Sequence, residues 1–127
     1  MKKIVVLQSK EMMKDLITEN NYKEMSILGE LIINEDMAKP SPERARELIK
    51  EANIVITTWE CPKLDSNIID AAPELELVLH AAGSVKYIAS QALWDRGVRV
   101  SSAAMILGEG VAETALGLTI VSLKYIW

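Results

Sequence analysis

The chain has 127 residues, half of them apolar and a quarter charged, with a formal net charge of -4. That length gives room for one domain with a single core, and an acidic balance without a Lys/Arg cluster excludes a nucleic-acid footprint. A single cysteine, Cys61, excludes an internal disulfide and fits a reducing compartment.

The N-terminal run Ile4–Leu7 is too short for a signal peptide and lacks a small-residue cleavage site, so the expected location is cytoplasmic. The run is continuous and rich in β-branched residues, which suits a strand buried on both faces. Met12, Met13, Leu16 and Ile17 follow at helical spacing. Met25 and Leu28 continue the pattern to Gly29, a C-terminal stop, and the pair Asn20–Asn21 predicts a break or restart inside it. Leu31–Ile33 is the second strand. Ser41–Pro42 is an N-cap followed by proline at the first helical position, and Ala45, Leu48, Ile49 and Ala52 fill one face of the helix it opens.

Ile54–Ile56 is a third buried strand, leading into the loop Thr57–Pro62. Asp65 can cap a short helix carrying Ile68, Ile69 and Ala72 and stopped at Pro73, with Leu64 and Ile69 placed as a hydrophobic staple. Leu77–Leu79 is the fourth strand. It breaks into Ala81, Ala82, Gly83 and Ser84, small residues that let the backbone approach a ligand; a glycine with φ > 0 can aim consecutive N–H groups at an anion. A plain tight turn explains the same residues. A short helix around Ala92–Trp94 ends at Gly97, Val98–Val100 is a fifth strand placed near an edge by Arg99, and a last helix runs from about Glu109 to Trp127.

Five apolar strands alternating with helical patterns, without Asn-Gly or Asp-Gly hairpins, predict an α/β fold. The expected form is a flavodoxin-like, doubly wound, parallel five-stranded sheet in the order 2-1-3-4-5. Its ligand crevice lies beyond the C-terminal ends of strands 1 and 3, which brings together Gln8–Lys10, Thr58–Cys61 and Ala81–Ser84. The last helix is unusual. Thr114–Leu123 carries no charge and is apolar on nearly every face. Ten such residues are too few to span a bilayer, which takes about 20, so no membrane partner is expected. A helix apolar all round requires cover from a partner subunit or a further domain.

Three motifs occur in order: His80-Ala-Ala-Gly-Ser-Val-Lys-Tyr-Ile88, Ala92-Leu-Trp-Asp-Arg-Gly-Val-Arg-Val-Ser-Ser-Ala103 and Gly110-Val-Ala-Glu-Thr-Ala-Leu-Gly-Leu118. From about Asn53 to Trp127 the chain resembles the N-terminal, substrate-binding part of the D-isomer-specific 2-hydroxyacid dehydrogenases, the phosphoglycerate dehydrogenase-like family. The resemblance implies a substrate-binding domain over 1–108 and a linking, dimerising helix over 109–127, with the NAD-binding domain absent. It implies NAD or NADP as the parent's cofactor, a small 2-hydroxy/2-oxo carboxylate as substrate, and a homodimer through the last helix. It also implies that backbone N–H groups of Gly83 and Ser84 hold the substrate carboxylate, with Ala82 kept small and Trp59 and Glu60 flanking the pocket. Lys86 adds positive charge or, more simply, is a solvated lysine.

The family's catalytic arginine, glutamate and histidine follow the stretch that matches, so no catalytic residue is assigned to this chain. Gly108-Glu-Gly-Val-Ala-Glu113 has two glycines of a dinucleotide loop, but Glu113 replaces the third. It is rejected as a cofactor loop, and no tight nicotinamide binding is expected of the chain alone. Ala104-Met-Ile-Leu-Gly108 is also more apolar than the family's polar run there. His80 reads as a packed, hydrogen-bonded histidine rather than a base. Cys61 lacks a base and reads as a small buried thiol. Glu109 and Glu113 lack a third ligand and read as charges at the start of the helix, so no metal site is expected.

A phospho-receiver domain would need acidic residues where Gln8–Ser9 and Thr57–Trp59 stand. A flavin carrier would need a better phosphate loop than Gln8–Glu11. A non-enzymatic carboxylate-binding or dimerisation module, from a natural truncation or a decayed dehydrogenase, stays open beside the reading as an inactive substrate-binding portion.

Overall fold

Each apolar run predicted as a strand forms one in the computed structural model, which describes residues 1–126. The strands are β1 (Lys3–Val6), β2 (Glu30–Ile33), β3 (Ile54–Thr57), β4 (Leu77–His80) and β5 (Arg99–Ser102). All pairings are parallel and the order is β2-β1-β3-β4-β5, as expected. β5 begins and ends later than Val98–Val100. Val98 is buried ahead of the strand, and β5 is an edge with Arg99 exposed.

The helices are α1 (Lys10–Leu16), α2 (Glu19–Leu28), α3 (Pro42–Leu48), α4 (Ser66–Ile69), α5 (Gln91–Asp95) and α6 (Ala104–Lys124). Ser9, Thr18, Ser41 and Asp65 cap the first four through side-chain oxygens that accept backbone N–H bonds. The break between α1 and α2 falls at Ile17–Thr18, just before the asparagine pair. Asn21 takes part in the restart by completing a capping box with Thr18.

Alternation along the strands divides the core into two layers. Val5, Val55 and Val78 point to one face and pack with Ala45 of α3 and Ile49 at its C-cap, with Ile68 and Ile69 of α4, and with Leu93 of α5. Ile4, Val6 and Ile56 point to the other, where Met13 of α1 and partly buried Tyr22 and Met25 of α2 meet them. Arg96, just after α5, ties the first layer together by donating to the carbonyls of Ile69, Ala72 and Pro73 at the end of α4.

The second layer is incomplete. α1 and α2 lie over β1, β2 and β3, while Leu79 of β4 is only half-buried and Ser101 of β5 is exposed. The chain does not fold back to cover that area. α6 leaves β5 with residues 104–120 all exposed, so it contributes no buried residue to the sheet.

Three expectations need correction. The last helix starts at Ala104 instead of about Glu109, so it crosses the boundary drawn at 108–109; Ala104, Met105, Ile106 and Leu107 include nothing that stops a helix. Its expected end at Trp127 lies outside the described residues. Its 21 residues, with a mean hydropathy of 1.5 over an 18-residue stretch, make it long and apolar enough, on those measures alone, to cross a membrane, against the expectation from ten uncharged residues. Gly29 ends α2, but in extended backbone rather than a left-handed cap. Its reason is steric: a Cβ there would stand 2.3 Å from the Lys2 carbonyl oxygen.

Candidate functional site

The carboxyl ends of β1, β3, β4 and β5 bring four loops to one edge of the sheet. Ile56 pairs with Leu79 and Thr57 with His80, so the loops after β3 and β4 leave side by side. The Ala81 N–H donates to the Thr57 carbonyl at 2.8 Å, and the Ala103 N–H donates to the carbonyls of His80 and Ala82 at 3.2 and 3.0 Å. The Ala81–Ser84 loop is thereby pinned between β3 and the start of α6.

Within that loop Ala82 is fully buried, Gly83 half-buried and Ser84 exposed. Among the described residues, the N–H groups of Gly83 and Ser84 donate to no protein acceptor. The Ser84 hydroxyl accepts from the Lys86 N–H at 3.4 Å, which bends the chain away after the loop. Gly83 is not in the left-handed region that the small-residue turn was expected to use; that conformation belongs to Gly97, with φ of 69°. A Cβ on Gly83 would meet only the Leu107 side chain, at 3.7 Å. Packing therefore does not require a glycine there, and the bare backbone stays accessible.

On the neighbouring loop Trp59 and Glu60 are both exposed. Glu60 has φ of 67°, a left-handed conformation that costs a side-chain-bearing residue about 1–2 kcal/mol. No feature of the sequence signals it. Cys61, the next residue, is buried, and burial pushes its thiol up to about 11. A thiolate nucleophile is thus disfavoured at neutral pH.

His80 closes β4 with both ring nitrogens engaged. Nδ1 lies 2.9 Å from the Thr57 hydroxyl and Nε2 lies 3.2 Å from the Tyr87 hydroxyl. Burial lowers its pKa below the ordinary imidazole value, so the neutral ring is favoured. The packed histidine expected from sequence is what the fold contains; Thr57 and Tyr87 as its partners were not foreseen.

Beside these loops the uncovered half of the second sheet face forms an open groove of about 570 Å³. Leu16, Met25, Leu28, Leu79 and Ile106 supply apolar wall, and Gln8, Thr58 and His80 supply polar groups from three strand ends. Ala81 reaches this groove, whereas Trp59, Glu60, Ala82, Gly83 and Ser84 do not line it. The Ala82–Ser84 segment and the groove are therefore adjacent but separate surfaces.

Gly108, Gly110 and Glu113 lie inside α6. A dinucleotide loop must precede a helix so that free N–H groups face the pyrophosphate. Helical backbone offers none, so this segment does not fit the cofactor. Among the described residues no group of three His, Cys, Asp or Glu side chains is placed to hold a metal.

The family model described as D-isomer specific 2-hydroxyacid dehydrogenase, catalytic domain, matches residues 4–123. The match extends well ahead of Asn53, where the legible resemblance began. Among solved structures, the PH0520 protein of Pyrococcus horikoshii aligns with a TM-score of 0.76 and 21% identity over 99% of this chain and 34% of its own. The NAD+-bound 3-phosphoglycerate dehydrogenase of Entamoeba histolytica aligns at 0.67 and 25% identity over 94% of this chain and 38% of its own. A glyoxylate reductase from Paecilomyes thermophila aligns at 0.69 and 14% identity over 96% and 38%. The chain spans between a third and two fifths of the length of these three structures. No curated protein matches it.

Proposed function

The chain belongs to the D-isomer specific 2-hydroxyacid dehydrogenase family, and from that premise we propose that it is the substrate-binding portion of a nicotinamide-dependent oxidoreductase. The parent's reaction would interconvert a small D-2-hydroxy acid and its 2-oxo acid at the CH–OH group. Support comes from relatives whose names describe NAD+-bound 3-phosphoglycerate dehydrogenase and glyoxylate reductase. When bound, NAD or NADP supplies hydride exchange. The helical Gly108–Glu113 segment does not fit the dinucleotide, and in this reading the chain's part is to hold the acid.

The observation that carries this reading is the pair of unpartnered N–H groups on Gly83 and Ser84, at the carboxyl end of β4. Two adjacent unpartnered backbone donors suit a carboxylate, and the missing Cβ at Gly83 leaves them open to it. Trp59 and Glu60 flank the acid from the next loop. The strain at Glu60 is the kind of cost that persists where a loop is held for a purpose. Lys86 is exposed two residues on and stays a solvated lysine in this reading.

Titration of the isotopically labelled chain with glyoxylate, pyruvate or D-lactate tests it. The Gly83 and Ser84 amide resonances should move first, and Gly83→Asp should remove the response by placing a like charge against the acid. Shifts centred elsewhere, or unchanged in Gly83→Asp, would sink the assignment. No NADH-dependent reduction of these acids is expected from the 127-residue chain by itself.

A second reading, a non-enzymatic carboxylate-binding or dimerisation module, is favoured by α6, whose apolar residues from Val111 to Ile120 are exposed. Both readings share a homodimer formed through this helix in the cytoplasm.

A further inference from the structure

Two loops flank the place assigned to the acid, and a row of three side chains joins them. Thr57 ends β3 just before the loop of Trp59 and Glu60, and Tyr87 follows the loop of Gly83 and Ser84. His80 bridges the two, with Nδ1 2.9 Å from the Thr57 hydroxyl and Nε2 3.2 Å from the Tyr87 hydroxyl. A neutral imidazole has one donor and one acceptor nitrogen, and a hydroxyl serves as either, so both contacts are made in either tautomer.

The same two loops meet again just past Tyr87. The Leu64 N–H donates to the Ile88 carbonyl at 2.9 Å, and the Ser90 hydroxyl donates to the Leu64 carbonyl at 2.6 Å. Thr57, His80, Leu64 and Ile88 are all buried, so the ends of both loops are fixed in the core. Tyr87 is 43% exposed, and its ring already meets the His80 ring edge to face. Packing at this position therefore needs an aromatic ring but no hydroxyl.

We propose that Tyr87 is a positioning residue for acid binding, whose hydroxyl acts through His80 and Thr57 without touching the acid. The inference rests on the reading of the Gly83 and Ser84 N–H groups as carboxylate donors. The hydroxyl closes the segment from His80 to Tyr87 on itself and holds those two donors in register with the Trp59–Glu60 loop. With the contact made, the loop is ordered before the acid arrives, and binding does not bear that ordering cost. Coupling of this kind is reciprocal, so a contact that favours the bound acid is itself strengthened by it.

The test is a glyoxylate titration of the labelled 127-residue chain and of Tyr87→Phe, followed at the Gly83 and Ser84 amides and at the His80 ring nitrogens. Tyr87→Phe keeps the ring and removes the hydroxyl, and should weaken glyoxylate binding at those amides at least roughly fivefold. In the unaltered chain, saturation with glyoxylate should move the Nε2 resonance more than Nδ1, and in Tyr87→Phe that difference should vanish. A tyrosine that only supports the fold would lower the urea midpoint when replaced and leave the affinity as it was. Equal affinity in Tyr87→Phe, with both amides still responding, overturns the positioning role and leaves the carboxylate reading standing. Amides that do not respond in the unaltered chain overturn both. If Tyr87→Phe does not fold, an Nε2 resonance unmoved as glyoxylate saturates the unaltered chain overturns the positioning role by itself.

Discussion

The hydroxyl of Tyr87 lies 3.2 Å from Nε2 of His80, and the two rings meet edge to face at 80° with centroids 5.6 Å apart. They stand seven positions apart in sequence, and between them runs the whole Ala81–Ser84 loop. The contact staples that loop at its far end, as the Ala103 N–H staples its near end. With Thr57 on Nδ1, the ring has a partner on each nitrogen and no surface from which to gain a proton cheaply.

His80 should therefore titrate below about 6.5 in the folded chain, the value it has when unfolded. The sign follows from proton binding. Between the folded pKa and about 6.5 the unfolded state binds more protons, so stability is full above that window and falls as pH drops through it. Histidine ring signals followed by NMR from pH 8 to 5 should give the lowered value, and the urea midpoint should decline over the same range. His80→Gln should make that decline shallower. A ring that titrates at or above the ordinary value would mean that burial does not hold it neutral.

Cys61 gives the second prediction. With its thiol pushed up to about 11, the folded chain holds far less thiolate at pH 8 than a free cysteine does. Ellman's reagent should react with the native chain at least roughly a hundredfold more slowly than with the chain in 8 M urea. Equal rates would show that the thiol is exposed by motion of the Trp59–Pro62 loop.

Gly29 gives the third. The Glu30 N–H donates to the Lys2 carbonyl at 2.9 Å, and a methyl group at position 29 would sit 2.3 Å from that same oxygen and 3.2 Å from the Ile4 side chain. Both neighbours are in or beside β1, so the outer strand must move for alanine to fit. Gly29→Ala should cost about 1–3 kcal/mol in urea unfolding. Loss of less than a few tenths would mean that β2 shifts freely and that the edge of the sheet is soft.

Gly29 also shows where sequence reading stops. Its position as a helix stop was legible, but the cause lies in Lys2, 27 residues away and across a strand pair. Local patterns such as Ile4–Leu7, Ser41–Pro42 and Asp65 before Ile68 were readable because neighbours in sequence decide them. Alternation gave the parallel sheet, and the order expected from a flavodoxin-like arrangement is the one found. The partners of His80 and the left-handed Glu60 depend on which strand ends meet, and no spacing encodes that. The start of α6 was missed for a different reason. Ala104–Leu107 stands where the family it resembles has a polar run, and that contrast masks four residues that readily form helix.

α6 carries the last prediction. Leu116 is 63% and Ile120 50% exposed, one turn apart on a helix whose residues 104–120 bury nothing. Each buried leucine or isoleucine side chain is worth about 1.5–3 kcal/mol, so a symmetric pairing of two such helices would gain substantially from these residues alone. Sedimentation velocity should find a concentration-dependent dimer, and Leu116→Glu with Ile120→Glu should give a monomer of unchanged circular dichroism. The helix is also long and apolar enough to meet a bilayer, with Glu109 and Glu113 both on its N-terminal half. Flotation with phosphatidylcholine vesicles separates the two. A chain that stays behind when the vesicles float, yet sediments as a dimer, pairs through α6. One that floats with them, or remains monomeric at every concentration, does not use this helix to hold a second copy.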